Sequence, residues 1–316
     1  MTAVVSPAMA AARRRILAAA LCFTLLPGAA PAPAQPASAA GKLKVLASFS
    51  ILGDLVRNVG GDRLDLATLV GPNSDAHVYA AAPADAKKVA EARLVILNGL
   101  GFEGWMERLV KASGGQATMV IASKGVRQRR SAGGHAGHDG GQVDPHAWQS
   151  VPNAEIYVAN IRDALIAVDP SGRDAYAGNA AAYLARLDAL DRELVAAVAA
   201  IPADRRRIIS SHDAFGYFQE RYGIEFVAPQ GVSTESEASA RDVARIITQI
   251  RKEKIPAVFM ENITDPRLMQ RIAHETGARI GGKLYSDALT DGRGEAPTYI
   301  DLMRHNMRTL SAALGS

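Results

Sequence analysis

Between residues 172 and 200 the apolar positions Tyr176, Ala180, Tyr183, Leu184, Leu187, Leu190, Leu194, Val195 and Val198 step by three or four. That spacing places them along one side of a single helix of about 27 residues, roughly 40 Å long at about 1.5 Å per residue. Pro202 stops it. It reads as the one long helix that joins the units on either side of it. Those units read alike. Before it, short β-rich runs at 42–49, 65–70, 93–99 and 117–122 alternate with helical stretches at 51–59, 84–92 and 103–111, and a helix at 153–168 follows. After it, runs at 206–212, 224–229, 256–262 and 278–285 alternate with helices near 214–222, 238–253 and 266–276, with a last helix at 297–313. Continuous apolar runs of four to six residues alternating with helices argue for a parallel sheet covered on both faces. The expected fold is therefore α/β: two lobes, each a mainly parallel sheet flanked by helices, bridged by one long rigid helix. The boundaries are 41–171, 172–200 and 201–316.

The first forty residues read as an address. Arg13, Arg14 and Arg15 precede an apolar run at 16–26, too short to span a bilayer, and a Pro-rich stretch follows with an A-x-A site at Ala32-Pro33-Ala34. A signal peptide of residues 1–34 and an exported, periplasmic mature chain are expected. The formal charge of +4 depends on that segment: taking its three arginines from 36 leaves 33 basic against 32 acidic residues. The remaining near-neutral chain gives no electrostatic case for nucleic acid, and aromatics at 5% give no stacking platform. Cys22, the only cysteine, lies inside the apolar run in a poor context for lipid attachment. No disulfide or thiolate metal site is then available to the mature chain, and any metal must be held by His, Asp or Glu.

Seven histidines carry the chemistry. His77, His146 and His212 each stand in a loop following an expected strand, and Asp287 does the same after 278–285. In open α/β sheets ligands bind beyond the carboxyl ends of the strands. If the halves face each other, the four side chains can share one cleft. Three neutral imidazoles and a carboxylate fill a tetrahedral shell and leave no open position for water, which favours carrying a metal over using it in catalysis. Spacings of 69, 66 and 75 residues are not a motif by themselves. Asp144, Asp213 and Asp75 read as capping groups or as acceptors that orient a ligand. His274 and His305 read as ordinary helix residues, and Trp148 as packing over the site.

The stretches KVLASFSILGDLVRNVGGDRL, VGPNSDAHVYAAAPADAKKVAEARLVILNG, DPHAW, SSHDAFGYF, VAPQGVSTESEAS, VFMENI and YSDAL resemble, in this order, those of the metal-binding (cluster A-I) solute-binding proteins of ABC importers for zinc and manganese. The resemblance implies a fold of two α/β lobes on one long helix. It implies metal ligands at His77, His146, His212 and Asp287, with Glu261 as a reserve ligand whose plain alternative is a buried acceptor. It also implies a non-enzymatic monomer that hands its metal to a membrane permease with a cytoplasmic ATPase, and it leaves open loading by a periplasmic metallochaperone. Manganese binders of the family usually carry a carboxylate at the third position. Histidine there favours Zn²⁺ over Mn²⁺, because nitrogen donors suit the later, softer metals. Ala76 stands where some zinc binders have glutamate, which shifts weight onto Asp287.

Family zinc binders often carry a histidine-rich loop ahead of the second ligand. Here residues 125–145 hold six glycines and His135, His138 and Asp139, and read as a mobile loop. His135 and His138 could capture metal weakly, against the repulsion of Arg127, Arg129 and Arg130. Affinity is expected to fall below about pH 6, as imidazoles protonate. The rival reading is an exported zinc hydrolase with Glu261 or Asp213 as its base, but H-E-x-x-H and G-x-S-x-G are both missing.

Overall fold

The structure, a computed structural model, describes residues 41–131 and 141–315. The expected signal peptide, Cys22, and the loop residues His135, His138 and Asp139 lie outside the described residues.

The first lobe is built on β1 (Leu43–Phe49), β2 (Leu64–Val70), β3 (Leu94–Leu97) and β4 (Thr118–Ile121). They form one parallel sheet in the order β2-β1-β3-β4. Apolar runs such as LVIL of β3 are buried throughout, as a sheet covered on both faces requires. Helices α1 (Ser50–Gly60), α2 (Pro83–Glu91), α3 (Met106–Ser113) and α4 (Val151–Val168) flank it. The second lobe repeats the plan. Strands β5 (Arg207–Ile209), β6 (Glu225–Val227), β7 (Ala257–Glu261) and β8 (Arg279–Leu284) pair in parallel in the order β6-β5-β7-β8. This sheet carries α6 (Gly216–Tyr222), α7 (Ala240–Glu253) and α8 (Arg267–Thr276).

The long helix is α5 (Arg173–Ala199), 27 residues. It buries Tyr176, Ala180, Tyr183, Leu187, Leu190, Leu194 and Val198 against α4, α1 and the last helix, α9 (Tyr299–Leu314). Val195, counted from spacing among its apolar positions, is instead 44% exposed, because the stripe is narrower than three-and-four stepping alone suggests. One further expectation shifts: helix α8 starts at Arg267 rather than at Pro266, with Asp265 Oδ1 accepting from the Arg267 N–H at 2.9 Å. Helix α9 packs on β8 of the second lobe and also reaches α5 and α1. Its first N–H, at Tyr299, donates to the buried Asp54 of α1 at 2.9 Å, and the Tyr299 hydroxyl donates to the Trp148 carbonyl at 2.7 Å. The main apolar core therefore runs from β1 to α9 without a break, and a smaller one lies under β5, α7 and α8.

In each sheet the chain moves outward from the first strand in opposite directions, so a switch point lies between β1 and β3, and another between β5 and β7. The loops beyond those strand ends meet where the lobes face.

Candidate metal centre

Each of the four expected residues stands on a loop beyond a strand end. His77 follows β2. Its backbone N–H donates to Asp75 Oδ1 at 2.9 Å, and the preceding Ala76 carbonyl accepts from Trp105 Nε1 at 2.8 Å. His146 follows β4 and is held twice by Asp144 Oδ1, which lies 2.9 Å from its backbone nitrogen and 2.8 Å from Nδ1. His212 follows β5. Its backbone N–H, and that of Ser211, donate to Glu261 Oε1 at 3.0 and 2.8 Å, and Glu261 Oε2 stands 2.6 Å from Nδ1. Asp287 follows β8. The first lobe contributes two of the side chains and the second lobe the other two.

All four are buried, and one donor atom from each lies within 4.8 Å of the others. His77 Nε2 is 3.2 Å from His146 Nε2 and 3.1 Å from Asp287 Oδ2. His212 Nε2 is 3.3 Å from Asp287 Oδ2, and His146 Nε2 is 3.6 Å from Asp287 Oδ1. Asp287 is fully buried, and neither of its oxygens makes a well-formed hydrogen bond with a protein group. His212 Nε2 is likewise without one. Buried carboxylates in folded proteins are normally hydrogen-bonded or paired, since an uncompensated one is costly.

The electrostatics have one sign. Burial opposes charge on His146, but Asp287 and then Asp144 outweigh it, and the imidazole is pushed up to about 9. Burial opposes charge on His212 too, and Glu261 and Asp287 raise it well above the ordinary imidazole range. Burial would keep Asp287 neutral, but His146 and His212 hold its carboxyl well below the usual carboxylate range. The cleft therefore favours positive charge, supplied either by protons on the rings or by a cation between them. Protons and a cation therefore compete for the same rings.

Glu261 is not one of the four clustered donors. It sits behind His212 on β7, in the plain role of a buried acceptor, because the β5–β7 pairing brings it beneath the ring. Asp144 and Asp75 support His146 and His77, while Asp213 makes no side-chain bond to a clustered ring. Trp148 does pack over the site, 5.3 Å from the His146 ring centroid, with Nε1 donating to the Ser286 carbonyl beside Asp287. Phe102, not singled out from sequence, closes the other side at 4.8 Å from the His77 ring. A cavity of about 480 Å³, lined in part by His77, Phe102, Pro145, Val232 and Glu235, lies beside His77. His274 is exposed on α8, and His305 on α9 lies 3.1 Å from the Lys283 carbonyl.

The described ends of the 125–145 loop are held rather than loose. Arg130 and Val143 form an antiparallel bridge, Ser131 N–H donates to the Gln142 carbonyl at 2.9 Å, and Val126 is buried. Two of the arginines expected to repel a cation are paired, Arg129 with Asp144 and Arg127 with Glu220.

Residues 45–313 match the family described as zinc-uptake complex component A, periplasmic (ZnuA). An iron-binding protein, YfeA, from Yersinia pestis is 33% identical over 92% of this chain and 93% of its own. A manganese-binding lipoprotein, MntA, from Halalkalibacterium halodurans is 34% identical over 86% and 88%. Among solved structures, the periplasmic zinc-binding protein TroA from Treponema pallidum superposes with a TM-score of 0.81 at 31% identity, covering 87% of this chain and all of its own. A manganese-bound periplasmic metal-binding protein from Candidatus Liberibacter asiaticus gives 0.76 at 31% identity, over 86% and all of its own.

Proposed function

The chain belongs to the ZnuA (cluster A-I) family of metal-binding, periplasmic solute-binding proteins of ABC importers, and from that premise we propose that its cargo is Zn²⁺. In this reading it captures the ion outside the cytoplasm, in the periplasm after signal-peptide removal. It then delivers the ion to a membrane permease driven by a cytoplasmic ATPase. His77, His146, His212 and Asp287 are the ligands.

The observation that carries the reading is a buried Asp287 carboxylate without a hydrogen bond, faced by three imidazole nitrogens at 3.1 to 3.6 Å. Donors bound at about 2.0–2.1 Å in a tetrahedron stand roughly 3.3 Å apart, close to the separations of Asp287 Oδ2 from His77 and His212 and of His77 from His146, within a set that spans up to 4.8 Å. Three nitrogens also favour the later divalent metals. A carboxylate behind two of the three rings, Asp144 on His146 and Glu261 on His212, fixes their orientation and raises their basicity. Nanomolar binding needs about −12 kcal/mol, within reach of such a site.

Manganese is the second reading, and one observation favours it. Asp287 turns Oδ2 to His77 and His212 and Oδ1 to His146. Both oxygens together would make five donors, closer to what a hard, higher-coordinate ion accepts. Elemental analysis of the metal carried by protein expressed to the periplasm decides between them, because zinc outbinds manganese at most N/O sites in simple competition. Zinc as the carried metal supports the proposal, and manganese overturns the choice of metal. A zinc hydrolase would need a free base beside the metal, and Glu261 is already committed to His212 and two backbone N–H groups.

The long α5 resists wide hinge bending, so release proceeds by a small, local separation of the lobes at the cleft when the permease docks.

A further inference from the structure

We propose that Arg129 is a positioning residue that straps the two lobes together and couples their separation to the hold on His146. The proposal rests on the reading of His146 as a ligand.

Arg129 lies at the foot of the glycine-rich loop, in the first lobe, yet its guanidinium rests on the second. A methyl group placed on Gly216, the first residue of α6, would stand 1.3 Å from Arg129 Nη1 and 2.1 Å from Cζ. The guanidinium thus occupies the space that a side chain at position 216 would fill. The Arg129 backbone N–H donates to the Tyr217 hydroxyl at 3.1 Å, and Cζ stands 5.8 Å from that ring's centroid. Two residues earlier, Arg127 pairs with Glu220 of the same helix.

From this seat Arg129 reaches back to the site. Nη1 donates to Asp144 Oδ2 at 2.5 Å, and the Arg129 carbonyl accepts from the Asp144 N–H at 3.0 Å. The other oxygen of Asp144 holds His146 at Nδ1 and at its backbone nitrogen. One continuous chain of contacts therefore runs from α6 of the second lobe, through Arg129 and Asp144, to a donor ring of the first. While α6 stays seated, Arg129 holds Asp144 and Asp144 aims the imidazole. When α6 moves away, the seat is lost and His146 loses its orientation. Asp144 is fully buried, so without the guanidinium it is a buried carboxylate that has lost its counter-charge, and its hold on His146 loosens. The strap lets a permease that pries the lobes apart weaken the metal shell without touching it.

Groups that orient a ligating histidine typically alter metal affinity about 10- to 100-fold when removed. Arg129→Ala is expected to speed zinc dissociation by a factor in that range. Gly216→Ala should act in the same direction, because its methyl displaces the guanidinium. Gly216 is not in the left-handed region, so alanine brings no backbone strain there. The decisive experiment is a double-mutant cycle on the full mature protein. Zn²⁺ release is followed with a chelator chase, the visible spectrum of the Co²⁺-loaded protein reports the donor geometry, and a metal-free melt checks folding. The proposal expects both single variants to release zinc faster and to shift the cobalt bands. Adding Gly216→Ala to Arg129→Ala should change nothing further, since the atom it collides with is gone. If Gly216→Ala speeds release equally in both backgrounds, or if neither variant alters release or spectrum, the strap is refuted. His146→Ala separates the layers: its failure to weaken zinc binding would refute the ligand reading itself, whereas its loss of binding beside silent strap variants refutes only the strap.

Discussion

Thr234 donates to Asp75 Oδ2 across the cleft at 2.6 Å, while Oδ1 of the same carboxylate accepts the His77 N–H at 2.9 Å. One aspartate of the first lobe thereby ties the loop bearing a proposed ligand to a loop of the second lobe. The carboxylate that holds the His77 backbone is thus the one that bridges the cleft.

Removing that tie should loosen the grip without altering any donor. A hydrogen bond to a charged group contributes about 1.5–3 kcal/mol, so Thr234→Val is expected to raise the zinc dissociation constant by about tenfold or more. Competition titration against a calibrated chelator measures it. An unchanged constant would mean the bond closes nothing.

Asp287 is the only carboxylate among the four clustered donors. Asp287→Asn keeps the shape and removes the charge that draws a cation into a buried pocket of imidazoles. Zinc affinity should fall by more than about 100-fold, since breaking a buried charge interaction costs about 3–5 kcal/mol. Isothermal titration checks this, with a thermal melt to show that the metal-free variant folds.

The pH dependence follows from the rings. His146 is held at about 9 in the metal-free cleft, and His212 above its ordinary range. Zinc must expel those protons, so binding should release protons at pH 7, and affinity should rise as pH rises from 7 toward 9. Metal-free stability runs the other way. A ring whose folded value exceeds its unfolded one of about 6.5 contributes stability that is complete below pH 6.5 and is lost as pH rises through 9. The metal-free melting temperature should therefore fall between pH 7 and pH 9 while the zinc-loaded one holds. Titration calorimetry in buffers of differing ionisation enthalpy, with paired melts, reads both. Parallel curves for the two forms would contradict the assignment.

Glu261 stands behind His212 and is not one of the four clustered donors. Glu261→Gln keeps an acceptor for the two backbone N–H groups and removes the charge beside Nδ1. Zinc affinity should weaken about 10- to 100-fold without loss of stoichiometry, the usual effect of altering a ligand's supporting group. Loss of the bound ion altogether would make Glu261 a ligand after all.

Much of this was legible in the chain itself. Apolar runs such as LVIL and the three-and-four stepping of α5 are local signals, and they set the strands, the long helix and the loops on which His77, His146, His212 and Asp287 stand. Asp144 was within reach as well, because an aspartate two residues before a histidine can hold the following backbone nitrogen and ring together. What could not be read depended on partners distant in sequence. Glu261 falls behind His212 because β5 pairs with β7 across 49 residues of chain. Arg129, which by charge alone should repel a cation, is neutralised by Asp144 and seated on Gly216, and no periodicity announces either contact. Helix α9 reaches α1 as well as β8 because the Tyr299 N–H finds Asp54, 245 positions earlier.

X-ray diffraction from zinc-loaded crystals, recorded on both sides of the zinc absorption edge, tests the central claim most directly. One anomalous peak is expected, bonded to His77 Nε2, His146 Nε2, His212 Nε2 and a carboxylate oxygen of Asp287, and absent from crystals of His77→Ala grown with the same zinc. A peak elsewhere in the molecule, or one at the cleft that persists undiminished without His77, would contradict it.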